Sequence, residues 1–326
     1  MRGVSLSRLG DLSEAELLAL VLPRYAVTGS PELVVAPGDD AAVLAGLGAD
    51  VVATTDTMVR GIDWRDDWSS GEQVGRKLVA QNLADIEAMG GRPVALLVAL
   101  LADPQTEVAW VLDLADGIAA AALEARVVVA GGDLSSAPPG VVVVAVTALG
   151  TLDGRPPVLR SGARPGDVLA VRGSLGFSGA GLALLQAGEI TGQATAAASL
   201  LAWHRAPRVE PGVGAGAAAA GASALIDISD GLVRDVGRIA SASGVRIDLD
   251  GNALLEIVAS TPLGVVLGED EGLRQVLAGG EEHSLVGCFP GPLPPGWTSI
   301  GRVLDGTGVT LDGAPQPLAG WDHFAP

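Results

Sequence analysis

The sequence predicts an α/β protein of two domains, because runs typical of strands alternate with runs of helical periodicity along most of its length. In the first half, segments 51–55, 94–101, 126–130 and 141–149 are predicted strands. The chain has 326 residues, which suits two domains of ordinary size. The pattern breaks at Asp153-Gly154-Arg155-Pro156-Pro157, so we predict domains at 1–152 and 153–326.

One long helix of the first half has a recognisable start. Ser70-x-x-Gln73 is a capping pattern, and the apolar periodicity after it predicts a helix to about Met89. On a helical wheel, Asn82 and Asp85 fall within the apolar arc of this helix. A polar pair on a buried side needs partners, which makes Asp85 a candidate functional residue.

The second half repeats the α/β rhythm. Strands are predicted at 167–171, 224–228, 245–249 and 284–289, and helices at 179–187 and 232–241. The Gly/Pro-rich stretch at 290–296 is a predicted surface loop. No repeat of short period is visible.

Composition excludes several classes of partner. The formal net charge of −18 argues against nucleic acid or an anionic membrane surface. The longest apolar run, Val94 to Ala102, is too short to span a bilayer. The single cysteine, Cys288, excludes an internal disulfide and fits a reducing cytoplasm. The three histidines are scattered and lack zinc spacing.

Acidic segments provide the main functional signal. The three are Gly38-Asp39-Asp40, Thr54-Thr55-Asp56-Thr57 and Asp227-Ile228-Ser229-Asp230-Gly231. Taken singly, each has an ordinary structural interpretation: a turn, a strand end, and an N-cap in which Ser229 or Asp230 caps the next helix. Taken together, carboxylates at the ends of apolar strands are costly to desolvate without cations, and the chain has 20 Lys+Arg against 38 Asp+Glu. Several bound Mg²⁺ ions explain the pattern, and such sites most often serve phosphate chemistry.

The familiar phosphate-binding loop is absent. Its lysine is followed by Ser or Thr, whereas the only lysine here, Lys77, is followed by leucine. Phosphates would therefore be held mainly by metal and by backbone N–H groups. Gly131-Gly132-Asp133, which follows a predicted strand, offers both, although a β-turn is the ordinary interpretation.

In sequence order, these segments are similar to those of thiamine-monophosphate kinases, of the aminoimidazole ribonucleotide synthetase-like superfamily. The segments are Gly38-Asp39-Asp40, Thr54-Thr55-Asp56-Thr57, Asn82-Leu83-Ala84-Asp85, Gly131-Gly132-Asp133, Arg160-Ser161-Gly162-Ala163-Arg164-Pro165-Gly166-Asp167, Asp227-Ile228-Ser229-Asp230-Gly231, Gly279-Gly280-Glu281 and Gly320-Trp321-Asp322-His323-Phe324. The resemblance runs nearly end to end. It implies two α/β domains, an N-terminal sheet that forms a barrel across a homodimer, and transfer of the ATP γ-phosphoryl group to thiamine monophosphate.

The resemblance also implies site residues. The implied magnesium ligands are Asp40, Thr54, Thr55, Asp56, Asp85, Asp133, Asp227 and Asp230. Among them, Asp56, Asp85 and Asp133 are expected to act at the transferring group. The implied ATP contacts are Gly132, Asp133, Arg160 and Ser229, and the implied contacts to the thiamine moiety are Asp63, Glu281 and Trp321.

Two positions depart from the family pattern. Asp63 stands where histidine is frequent, and Gly279-Gly280-Glu281-Glu282-His283 replaces the commoner Gly-Gly-Glu-Asp-Tyr. Two alternatives also stay open at this point. One is another ATP-using enzyme of the superfamily, such as a purine-biosynthesis ligase. The other is a non-catalytic acidic protein that binds metal or nucleotide, although aspartates at strand ends disfavour it.

Overall fold

The computed structural model describes residues 8–12, 14–25, 33–35, 43–44, 50–189, 195–317 and 320. The chain forms two compact units: residues 1–83 with 93–154, and residues 84–92 with 155–326. No feature of the sequence indicated that 84–92 would group with the second unit. None of the helices described is both long and apolar enough to cross a membrane.

The first unit is built on a four-stranded sheet in the order β3-β6-β4-β5. β3 pairs with β6 in antiparallel fashion and β4 with β5 in parallel, while β1 and β2 form a separate antiparallel pair. The elements are α1 (Glu14–Tyr25), β1 (Leu33–Val35), β2 (Val43–Leu44), β3 (Val51–Val59), α2 (Gly71–Ala88), β4 (Arg92–Ala102), α3 (Val108–Ala125), β5 (Val128–Ser136) and β6 (Val142–Thr151).

The capping pattern at the start of α2 is confirmed. The Ser70 backbone N–H donates to Gln73 Oε1 at 3.0 Å, and the Gln73 N–H donates to Ser70 Oγ at 3.3 Å. Glycines then let α2 approach α3 closely. A Cβ on Gly75 would lie 2.4 Å from the Leu114 carbonyl oxygen, and one on Gly117 would lie 2.1 Å from the Glu72 carbonyl oxygen. The polar Asn82 is fully buried on α2, and its amide donates to the Leu78 carbonyl oxygen.

The second unit is built on a seven-stranded sheet in the order β13-β12-β9-β11-β7-β10-β8. Its pairs are antiparallel except for β12 with β9. The elements are β7 (Val168–Arg172), α4 (Phe177–Gln186), α5 (Thr195–Arg205), α6 (Val213–Ala219), β8 (Ala224–Asp227), α7 (Leu232–Ser243), β9 (Arg246–Leu249), α8 (Gly251–Ser260), α9 (Pro262–Ala278), β10 (Leu285–Phe289), β11 (Thr298–Leu304), β12 (Gly308–Leu311) and β13 (Ala314–Pro315).

The largest apolar core of the described chain lies in this second unit. Strand residues such as Ile226 and Val286 pack with Val236 and Ile239 of α7, and all four are at most 1% exposed. Strand β10, which lies between β7 and the edge strand β8, is buried at every position. This packing fixes the end of β8 and the start of α7, the place to which the sequence assigns Asp227 and Asp230.

Candidate functional site

The predicted ligands Thr54, Thr55 and Asp56 lie inside β3, which continues four residues beyond the strand expected from sequence. Successive side chains of a strand point to opposite faces, so Thr54 and Asp56 share one face and Thr55 lies on the other. The Thr55 hydroxyl is used within the sheet: it donates to the Val146 carbonyl oxygen at 3.0 Å and accepts from Thr147 Oγ1 at 3.1 Å. The side chains of Thr54 and Asp56 can therefore face one ion together, and that of Thr55 faces away from it.

The Gly131-Gly132-Asp133 segment also lies inside a strand. We expected it to follow the strand, but β5 continues to Ser136, and Gly132 is paired with Val98 of β4. A Cβ on Gly132 would lie 1.7 Å from the Val98 carbonyl oxygen, so this position requires glycine for strand pairing alone. Asp133 is exposed and accepts a hydrogen bond from Ser135 Oγ at 3.2 Å.

Asp56 and Asp133 lie on the two edge strands of the same sheet, because β3 and β5 are its outermost members. Three strand spacings separate these edges, which is about 14 Å along the sheet. Two ligands of one Mg²⁺ ion each lie about 2 Å from it. Within one sheet, the two carboxylates therefore belong to separate ions if both bind metal.

Asp63 lies in the turn that follows β3. Its Oδ2 accepts a hydrogen bond from the Val59 backbone N–H at 2.7 Å, and the side chain is half-buried. This bond closes the turn, so one carboxylate oxygen of Asp63 has a structural role.

Asp85 is half-buried near the end of α2, in the part of the helix that belongs to the second unit. Two residues later, Glu87 is fully buried and holds the start of α6: its Oε1 accepts from the Gly212 N–H at 2.6 Å and its Oε2 from the Gly214 N–H at 2.5 Å. Burial raises the pKa of Glu87 to about 7, although these N–H donors act in the opposite direction. Sequence reasoning missed Glu87, which fixes the helix end that carries Asp85.

Asp227 is the last residue of β8, and the loop after it is organised by Asp235 of α7. Asp235 is fully buried, and its Oδ2 accepts hydrogen bonds from the backbone N–H groups of Ser229, Asp230 and Gly231 at 3.0, 3.0 and 3.1 Å. The predicted N-cap by Ser229 or Asp230 is wrong: Gly231 is the N-cap residue, and no side chain caps the helix there. The side chain that accepts from the loop N–H groups is Asp235, one turn inside α7. Burial and the neighbouring Asp227 raise the pKa of Asp235 to about 7.

Arg238 joins this loop to the helix. Its Nη1 donates to Asp235 Oδ1 and its Nη2 donates to Asp230 Oδ2. Arg234, one turn earlier, places its Nε 3.9 Å from the same Asp230 oxygen. The predicted magnesium ligand Asp230 thus has arginine as its counter-ion in this structure.

A second loop, residues 279–284, is tied to the first. The backbone N–H of Glu281 donates to the Ser229 carbonyl oxygen at 2.7 Å, and that of His283 donates to the Ile228 carbonyl oxygen at 2.8 Å. Glu281 and His283 both have left-handed backbone conformations, with φ of 58° and 56°. This backbone places the His283 ring, 4% exposed, with Nδ1 3.5 Å from Asp227 Oδ2.

A buried polar cluster continues from this loop into α4 and α5. Glu282 is fully buried and accepts hydrogen bonds from Ser174 Oγ at 2.5 Å and from the Ser178 N–H at 2.9 Å. Burial raises the pKa of Glu282 to about 6. His204 Nδ1 lies 3.1 Å from Ser178 Oγ and 3.5 Å from Oε2 of Glu281, the predicted substrate contact. His204 and His283, distant in sequence, are therefore both adjacent to predicted site residues.

Arg160 begins a short 3₁₀ turn, Arg160–Gly162, in the second unit. Its carbonyl oxygen accepts a hydrogen bond from Ser243 Oγ at 2.8 Å, and its side chain is exposed. A Cβ on Gly162 would lie 1.9 Å from the Ser223 carbonyl oxygen, so this turn packs tightly on the sheet. The turn is anchored by its backbone, and the guanidinium of Arg160 is at the surface. Asp40 and Trp321 lie outside the described residues.

The donor set of the second unit suits a hard divalent cation. Asp227 is 4% exposed, and in the described part of the chain no arginine or lysine forms an ion pair with it. A nearly buried carboxylate without a strong counter-ion favours a bound cation, and carboxylate oxygens are the ligands that Mg²⁺ prefers. Within either unit, the described residues contain no group of three or more His, Cys, Asp or Glu side chains arranged to hold an ion. Further ligands would then be water or substrate oxygens, as is usual for Mg²⁺.

Comparison with known proteins places these features in a family. Residues 38–152 match the model of AIR synthase related protein, N-terminal domain, and residues 164–313 match that of its C-terminal domain. The thiamine-monophosphate kinase of Mycobacterium tuberculosis strain H37Rv is 48% identical over 88% of this chain and 85% of its own. That of Corynebacterium glutamicum is 42% identical over 97% of this chain and 95% of its own.

Solved structures of thiamine-monophosphate kinases have the same fold as this chain. The thiamine-monophosphate kinase of Stenotrophomonas maltophilia K279a has a TM-score of 0.80 at 30% identity and covers 94% of this chain and 98% of its own. AaThiL, complexed with AMPPCP and TMP, has a TM-score of 0.76 at 30% identity and covers 97% of this chain and 99% of its own. The predicted two-domain α/β fold of this superfamily is therefore confirmed. The chain belongs to the AIR synthase related protein family and, within it, to the thiamine-monophosphate kinases.

Proposed function

We propose that this protein transfers the γ-phosphoryl group of ATP to thiamine monophosphate and so forms thiamine diphosphate. The observation that carries the proposal is the 48% identity, over 88% of the chain, to a relative named for this activity. The complex of AaThiL with AMPPCP, an ATP analogue, and TMP supports it, because that chain matches this one almost end to end. The nearly buried Asp227 at the end of β8 provides a fitting place for a cation.

The proposed reaction does not need a strong general base. The acceptor is a phosphate monoester, whose second pKa is about 6, so the nucleophilic oxygen is largely ionised at neutral pH. The obstacle is repulsion between two polyanions. Magnesium ions, when bound, supply positive charge that neutralises the phosphates. We propose direct transfer without a phosphorylated enzyme.

We assign the proposed ligands and contacts as follows. The carboxylates and hydroxyls that would hold several Mg²⁺ ions are Asp40, Thr54, Thr55, Asp56, Asp85, Asp133, Asp227 and Asp230. Because Thr55 lies on the other face of β3, it would contact a different ion from Thr54 and Asp56. ATP would be held by Gly132, Asp133, Arg160 and Ser229, and the thiamine moiety by Asp63, Glu281 and Trp321. The Ser229 N–H is bound to Asp235, so its hydroxyl is the group left for the nucleotide.

Incubation with ATP, Mg²⁺ and thiamine monophosphate, followed by chromatography, tests this proposal. We expect thiamine diphosphate and ADP in equal amounts. Nucleotide binding without product would favour the alternative of a non-catalytic nucleotide-binding protein. Consumption of ATP only with a purine precursor would favour the ligase alternative. A protein-bound phosphoryl group after ATP addition without acceptor would contradict direct transfer.

We further propose that the protein is a cytoplasmic homodimer, in which a second copy covers the sheet of the first unit. On β4, Leu97 is 40% exposed and Leu101 is 38% exposed, and Val51 at the start of edge strand β3 is 49% exposed. Leu97 and Leu101 share one face of β4, and apolar side chains exposed on a sheet favour burial by a partner. Light scattering after size exclusion should give twice the chain mass of 32.5 kDa. Leu97→Glu should shift it towards the monomer, and a monomeric parent would refute the dimer.

A further inference from the structure

We propose that Arg238 is a competing counter-ion at the proposed cation site: it holds Asp230 in the metal-free protein and must be displaced before a divalent cation binds there. The inference deepens the proposed function and rests on it for the role of Asp230. It starts from the bridge that Arg238 makes between Asp230 and Asp235 through separate guanidinium nitrogens. The planar guanidinium fork suits such a two-carboxylate contact, because its separate nitrogens donate in fixed directions.

The Asp235 end of this bridge is fixed. Three backbone N–H groups donate to Asp235 Oδ2, and the residue is fully buried at the start of α7. Releasing Arg238 from Asp235 would leave a buried carboxylate with less compensation, which is strongly unfavourable. Arg238 is therefore expected to stay on Asp235 when conditions around the loop change.

The Asp230 end is the one that can change. The Asp230 side chain is 18% exposed, and its carboxylate contacts Arg238 closely and Arg234 at 3.9 Å. The Arg238 side chain is 36% exposed, so its outer nitrogen can exchange Asp230 for water. A cation can bind the Asp230 carboxylate as a ligand only if the hydrogen bond from Arg238 to Asp230 breaks.

The consequence is a lower cation affinity in the absence of substrate. Both the contact itself and the positive charge of Arg238 oppose a divalent cation at Asp230. Removing the guanidinium should therefore tighten cation binding, whereas an arginine with a purely structural role would leave it unchanged or weaken it on removal.

Titration of the full-length protein with Mn²⁺, followed by electron paramagnetic resonance without nucleotide or thiamine monophosphate, tests the proposal. We expect Arg238→Gln to tighten Mn²⁺ binding about fivefold to tenfold. Arg234→Gln is the matched control: it removes the same charge from the more distant partner of Asp230, 3.9 Å away, and we expect a smaller tightening of less than twofold. In the Asp230→Asn background, Arg238→Gln should no longer tighten binding.

Unchanged or weaker Mn²⁺ binding by a folded Arg238→Gln variant would overturn the proposal, as would equal tightening by Arg234→Gln. If Arg238→Gln does not fold, Arg238→Lys replaces it. Lysine lacks the planar fork whose separate nitrogens reach the two carboxylates, so a smaller tightening is expected there and its absence is equally decisive. The measurement contains no substrate, so its outcome is separate from whether the protein makes thiamine diphosphate.

Discussion

A pair of glycine-to-alanine substitutions in α6 tests how this helix holds the end of α2. Gly214 is buried, and a Cβ there would lie 1.8 Å from the Glu87 carbonyl oxygen. Gly216, two residues on, is exposed and would place its Cβ in open space. The two variants make the same chemical change in the same helix, so they isolate the contact with Glu87.

The expected magnitudes follow from these contacts. Alanine is favoured over glycine inside a helix by about 1 kcal/mol, so Gly216→Ala should stabilise by up to that amount. Gly214→Ala has the same benefit, but its methyl group must push α6 away from Glu87. The two hydrogen bonds from Gly212 and Gly214 to the Glu87 carboxylate, at 2.6 and 2.5 Å, would then break. Hydrogen bonds to charged groups contribute about 1.5–3 kcal/mol each, so we expect a net loss of about 2–5 kcal/mol.

Urea denaturation followed by circular dichroism measures both variants against the parent. Because Asp85 lies two residues before Glu87, Gly214→Ala should also lower the rate of thiamine diphosphate formation, and Gly216→Ala should not. Equal unfolding midpoints for the two variants would refute the reasoning, since they would show that α6 does not depend on the contact with Glu87.

Three further predictions concern the second unit and the sheet of the first. Burial holds the pKa of Glu282 at about 6 in the folded protein against 4.5 unfolded, so its proton stabilises the fold at low pH and this contribution is lost as the pH rises through 6. The loss amounts to about 2 kcal/mol, and Glu282→Gln should remove it from the pH dependence of the unfolding free energy; an unchanged slope would contradict this. Asp235→Ala leaves three backbone N–H groups without their acceptor and should lower the free energy of unfolding by about 3 kcal/mol in urea denaturation. Asp250→Ala, which removes an ordinary helix cap, should cost about 1 kcal/mol. Similar losses for the two variants would show that Asp235 does not hold the loop at residues 229–231. Gly132→Ala should lower the melting temperature even without ATP, because its methyl group meets the Val98 carbonyl oxygen, and a parent-like melting temperature would leave Gly132 with a nucleotide role only.

Local patterns predicted the parts of the fold that depend on near neighbours. The α2 cap was predictable because Ser70 and Gln73 satisfy each other within one turn. The rhythm of strands and helices indicated both units, since each strand buries a compact apolar run. By contrast, α5, α6, α8 and α9 were not predicted. Alanine- and glycine-rich segments in these helices weaken the apolar periodicity by which a helix is recognised in sequence. In α9 the helix is also interrupted at Gly268, which has a φ of 78°.

Contacts over long sequence separations could not be predicted in the same way. β5 continues through Gly131 and Gly132 because a bulge at Ala130 shifts its register against β4: Leu96 pairs with Val129 and Leu97 with Gly131. His204 and His283 meet the candidate site from different elements, so their spacing gives no signal. For Asp235 a signal existed: a carboxylate stands between Val233 and Val236 on the buried side of α7. A charge in that position demands partners, as Asp85 does in α2.

Phosphorus-31 NMR of the reaction of ATP, Mg²⁺ and thiamine monophosphate tests the central claim most directly, because it follows the transferred group itself. We predict that the γ-phosphoryl signal of ATP is replaced by that of the new diphosphate, one for each ADP formed. Asp227→Asn should slow this by about a hundredfold or more while remaining folded, and Asp305→Asn, an exposed carboxylate in a turn, should not. Release of free phosphate in place of the diphosphate, or a parent-like rate for Asp227→Asn, would contradict the account.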